Sequence, residues 1–168
     1  MNTRRVAIVG LVVLAALVLI AWLGARPTNS LSHAYHNSTY GFSLRLPASY
    51  VVTEAPNTNP PQENGTADII EFADAGGSVQ LTITYASYAQ SVLTTQSLLS
   101  NYPSLSSVTT EPFPIAPGTI GLALYYDPYH PNQISDVWFA KNGLLYQLTA
   151  FGDGYNELMP VAHTITLN

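Results

Sequence analysis

Residues 6–24 read "VAIVGLVVLAALVLIAWLG", nineteen positions with no charge and no proline. A helix of about 20 apolar residues spans the roughly 30 Å hydrocarbon layer of a membrane, so this run is long enough to cross one. It exceeds the apolar core of a cleaved signal peptide, about 7 to 15 residues, and Leu23 stands where such a peptide needs a small residue. Cleavage is the competing reading. The run separates five leading residues from everything that must fold in water. Arg4 and Arg5 precede it, Arg26 alone follows, and Trp22 lies near its far end. Basic residues stay on the cytoplasmic side, which places the N-terminus inside and the bulk of the chain outside.

Only Arg45 and Lys141 oppose ten acidic residues beyond Arg26, a formal charge of −8 over residues 27–168. That balance repels phosphate backbones and excludes nucleic acid as a partner. The chain has no cysteine, hence no disulfide, no thiolate chemistry and no lipid-bearing thiol. An exported domain of this kind must hold together by its core.

Residues 25–38, with Pro27 and many polar positions, read as a linker, and the domain is expected over 39–168. Phe42, Leu44 and Leu46 alternate with Ser43 and Arg45, the period of a half-buried strand that Pro47 stops. A strand over 50–54 and a long loop over 55–68 follow. Residues 69–72 and 79–85 flank a Gly-Gly turn and predict a hairpin. Ser87 and Gln90 match a capping box, and Val92, Thr95, Leu98, Leu99 and Tyr102 recur at helical spacing up to Pro103.

Four strands are then expected in succession. Pro117-Gly118 suits a type II turn between 108–113 and 120–126. Asn142-Gly143, joining 134–140 to 144–151, is a strong hairpin signal. A short helix over 156–162, limited by Pro160, and a last strand over 164–167 complete an α+β domain: a mainly antiparallel sheet packed by one longer and one short helix, preceded by one N-terminal transmembrane helix.

The "YGFSLRLP" opening, the mid-chain helix, the aromatic hairpin "VWFAKNGLLYQLTA" and the short helix with a final strand resemble the PsbP-like family over about residues 38–168. Tyr50 stands where the family often has Trp, and the lipid-bearing Cys of many bacterial members is absent. The resemblance implies a membrane-tethered, non-enzymatic accessory module and transfers no functional residue.

No catalytic, cofactor-binding or metal-binding residue is assigned from sequence, and no cofactor is expected. His33 and His36 would share a face on a helix and could enter a metal site; in a linker they are solvated histidines. Asp127, His130 and Asp136 could hold a hard cation such as calcium, or line an ordinary polar connection. His130 and His163 form no recognisable triad, and no Gly-x-Ser-x-Gly elbow occurs. Glu54, Glu71, Asp136 and Glu157 are isolated acids that a surface-displayed hydrolase with an atypical acidic site could pair. Tyr125, Tyr126, Tyr129, Trp138, Phe139 and Tyr146 read as core packing or as a recognition patch for protein or glycan. Asn37-Ser38-Thr39 and Asn64-Gly65-Thr66 match glycosylation acceptors.

Overall fold

A computed structural model describes residues 30–57, 62, 65–125 and 133–168. The expected membrane span lies outside the described residues, and among them no helix is long and apolar enough to cross a membrane.

Seven antiparallel strands form the large sheet: β3 (Val51–Pro56), β4 (Thr66–Ala73), β5 (Gly77–Tyr85), β6 (Thr109–Ala116), β7 (Thr119–Tyr125), β8 (Asp136–Lys141) and β9 (Leu144–Gly152). Their order is β3-β4-β5-β9-β8-β7-β6, so the four expected successive strands lie side by side. Turn chemistry sets the register of two hairpins. Asn142 (φ 54°) and Gly143 (φ 76°) both take positive φ, as a type I′ turn requires, and Gly118 (φ 76°) occupies the left-handed position of the Pro117-Gly118 turn. Pro112 and Pro114 fall on β6, an edge strand, where their missing N–H groups cost the ladder least.

A second sheet, in the order β1-β2-β10, joins β1 (Leu31–Asn37), β2 (Phe42–Pro47) and β10 (Thr166–Leu167). The presumed linker is corrected here: Leu31–Asn37 pairs antiparallel with β2, and the folded unit begins at Leu31. Its period-two pattern is hidden because Ser32, Ala34 and His36 face solvent and Tyr35 and Asn37 supply most of the inner face.

The first core lies between the two sheets, where Phe42, Leu44 and Leu46 meet Ile70, Phe72, Leu81 and Ile83. Helix α2 (Tyr155–Ala162) closes this layer with Leu158, Val161 and Ala162. Pro160 stands inside α2, not at its limit, and removes one helical N–H. Gly154, the residue before α2, lies so close to β5 that a Cβ there would strike the Ser78 carbonyl oxygen.

On the opposite face of the large sheet, a second core joins Ala86, Ala89, Leu93 and Leu98 to Leu122, Leu124, Trp138, Ala140 and Leu145. Strand β8 is therefore covered on both sides, which explains its unbroken apolar run. The helix over this face, α1 (Thr95–Asn101), starts later than the Ser87-Gln90 motif suggests. Thr94 caps it, forming a capping box with Ser97. Residues 91–93 are instead extended: Val92 bridges to Ile120, Ile120 N–H donates to Ser91 O at 2.9 Å, and Leu93 N–H donates to Ile120 O at 2.9 Å. Tertiary pairing outcompetes helical propensity there. With seven and eight residues, the two helices are alike in length, not one long and one short.

Candidate functional site

Among the described residues, those that sequence offered for chemistry do not converge. His33 and His36 lie on a strand, where positions three apart face opposite sides, and both are exposed. Asp127, His130, Tyr126, Tyr129 and Asn64 lie outside the described residues. Asp136 is buried on β8, and its Oδ2 accepts from Trp138 Nε1 at 3.1 Å and Gln147 Nε2 at 2.8 Å. Donors from its own sheet engage this carboxylate. His163 ends α2 with its ring 4.9 Å from that of Phe113. Among the described residues, no three His, Asp or Glu side chains are grouped to hold a metal ion.

Nor do the described aromatics form a patch. Trp138 and Phe139 are neighbours on a strand and point to opposite faces. Trp138 packs edge-on against Tyr102 at 5.0 Å in the second core, and Phe139 stacks on Tyr146 at 4.8 Å in the first. Tyr125 donates to Glu111 Oε2 at 3.1 Å across the β6–β7 edge. Asn37 is buried; its amide oxygen accepts from Tyr40 N–H and its NH2 donates to Tyr35 Oη, so a glycan on Nδ2 would crowd the bond to Tyr35.

An open cleft of about 300 Å3 at the β4–β5 turn is lined by Glu71, Asp74, Gly76 and Phe151 among others. Its most polar member is committed to the turn. Asp74 accepts from Gly76 N–H (2.9 Å), Gly77 N–H (3.3 Å) and Ser49 Oγ (2.8 Å), and these donors hold its carboxyl below the usual carboxylate range.

The most unusual electrostatics lie where β1 meets β3 and β4. Register pairs Glu54 with Ile70 and Pro56 with Asp68, which puts both carboxylates on the same face of adjacent strands as diagonal neighbours, Asp68 buried and Glu54 exposed. Tyr35 of β1 donates its hydroxyl to Glu54 Oε1, and Asn37 Nδ2 donates to Tyr35 Oη at 3.1 Å. Tyr40 donates to Ala67 O at 3.2 Å and Tyr146 donates to Tyr40 O at 2.9 Å, fastening the β1–β2 turn over the same spot. Asp68 is only 3% exposed, and its Oδ1 has no hydrogen-bond partner. Burial pushes its carboxyl up and Glu54 adds to the rise, against one backbone N–H from Ile69. Burial and the bond to Glu54 push the Tyr35 hydroxyl up to about 12, and burial with nearby Asp68 raises Tyr40. Sequence reasoning missed Asp68, Tyr35 and Tyr40. The one available signal was a carboxylate beside a run of strand-forming apolar residues, "ADIIEF".

Strand order, the second small sheet and two short helices define the class: a β-rich α+β domain with a mostly antiparallel sheet. Among solved structures, the chain is similar to the solution structure of cyanobacterial PsbP (CyanoP) from Synechocystis sp. PCC 6803, at 12% identity and a TM-score of 0.44, covering 81% of this chain and 92% of that one. No family model matches the chain, and no curated protein matches it.

Proposed function

We propose that this chain is a non-enzymatic accessory or binding module, held in the cell membrane by residues 6–24 with the Leu31–Asn168 unit on the outer side and a protein or glycan as partner. The observation that carries the reading is the abrupt change along the chain. A nineteen-residue charge-free run with two arginines before it gives way to a β-rich unit whose charges are almost all acidic. The candidate polar groups support a non-enzymatic role, since both Asp74 oxygens accept from the β4–β5 turn and Ser49, and Asp136 Oδ2 accepts from Trp138 and Gln147. Alkaline carbonate washing of native vesicles tests the tether. The full chain should stay with the lipid, and release into the wash would overturn the reading.

A surface-displayed hydrolase is the second reading, favoured by one observation: Asp68 and Glu54 are adjacent carboxylates in different environments, as acid and base pairs are. Against it, Glu54 is engaged by Tyr35 and Asp68 is sealed from any substrate. Turnover of chromogenic esters or glycosides that disappears in Asp68→Asn would establish the hydrolase. Absence of turnover would remove it.

A further inference from the structure

Asp68 lacks what a buried carboxylate needs. One oxygen is without a donor, its diagonal neighbour is another acid, and the groups facing it are Tyr35 from β1, Tyr40 from the β1–β2 turn and Glu54 from β3, with the apolar Ile83 opposite it on β5. None of these is a cation. A buried charge without a partner is costly, and the cheapest remedies are a proton on the carboxyl or water let in by local opening. The covering element is suited to open. Strand β1 is an edge, paired only with β2, and can lift without breaking another ladder. Its hold on the large sheet includes the Tyr35 bond to Glu54, whose own charge an ionised Asp68 would oppose.

We propose that β1 is a proton-operated latch, closed over Asp68 when that carboxyl carries a proton and lifted toward solvent when it is ionised. Acidity outside the membrane then sets the order of the strand that directly follows residues 1–30. The raised affinity of Asp68 for its proton in the closed form fixes the sign. Between the ordinary value of 3.8 and the raised one, opening becomes about tenfold more favourable per pH unit.

Hydrogen exchange of the full chain in detergent, corrected for the intrinsic pH dependence of exchange, tests this. Protection of Leu31–Asn37 should fall from pH 4 toward neutrality in the wild type, while β8 and β9 stay unchanged. Asp68→Asn, which mimics the protonated carboxyl, should keep β1 protected throughout, and Glu54→Gln should flatten the slope. Equal slopes in wild type and Asp68→Asn would overturn the latch, as would a loss shared by every strand. So would recovery of β1 protection at neutral pH on adding calcium chloride, because the two carboxylates would then be holding a cation and not a proton.

Discussion

Trp138 donates its indole N–H to Asp136, two residues earlier on the same strand, at 3.1 Å, with both residues buried. The same carboxylate oxygen accepts the Gln147 amide at 2.8 Å from β9. One acid thus orients the largest ring of the second core and ties two central strands together. Asp136→Ala would leave both donors without this acceptor. We expect a loss of about 3 kcal/mol, read as a lower urea midpoint at unchanged slope. Calcium should leave the wild-type midpoint unmoved.

Gly121 and Gly118 separate packing from backbone strain. A Cβ on Gly121 would sit on the Trp138 carbonyl oxygen of β8, whereas one on Gly118 meets nothing within 4 Å. Gly118 does hold φ at 76°. Gly118→Ala should therefore cost about 1 to 2 kcal/mol, the strain of the left-handed conformation. Gly121→Ala should cost about 3 kcal/mol or more, because β7 and β8 must part. Thermal unfolding of the two variants ranks them.

Where α1 begins is decided by Thr94. Its side chain accepts from Ser97 N–H at 3.1 Å, so Thr94→Ala should cost about 1 kcal/mol. Gln90 belongs to the motif that looks like a cap in sequence, yet it is exposed and lies before the extended 91–93 segment. Gln90→Ala should stay within about 0.5 kcal/mol of wild type. Equal effects of the two changes in urea titrations would contradict this boundary.

At alkaline pH the tyrosines govern stability. Burial pushes the hydroxyls of Tyr50 and Tyr146 up to about 12 from 10.0, and burial with the bond to Glu54 does the same for Tyr35. The folded chain therefore holds these protons more tightly than the unfolded one. Stability tied to them is intact below pH 10 and is lost as pH rises through about 12. Tyr146→Phe should lower stability at neutral pH by about 1 kcal/mol through the lost bond to Tyr40 O, and should lessen the alkaline loss. Phenolate absorbance followed alongside circular dichroism reads both.

What was legible in sequence was local. The Asn142-Gly143 and Pro117-Gly118 turns and the alternation in β2 and β5 each carry their signal within a few residues, and these elements stand where that signal puts them, whereas β4 begins at Thr66, inside the expected loop over 55–68. Strand β1 escaped because its outer face is polar and its inner partners come from β2 and β3. The start of α1 escaped because Ile120, nearly thirty residues away, draws Val92 into an extended bridge. The Tyr35, Glu54 and Asp68 cluster was invisible for the same reason: it depends on register between strands and on a bulge after Thr66. Trp138 and Phe139 are divided between the two cores because adjacent residues on a strand face opposite sides, while Tyr126 and Tyr129 lie outside the described residues.

If residues 6–24 tether an outward-facing domain, the absence of cysteine makes its sidedness directly readable. Single variants Ser106→Cys, at an exposed position of the folded unit, and Asn2→Cys, before the apolar run, can be treated on intact cells with a membrane-impermeant maleimide. Labelling is expected at 106, and at 2 only after the cells are lysed. Labelling at 2 alone, or at neither before lysis, would contradict it.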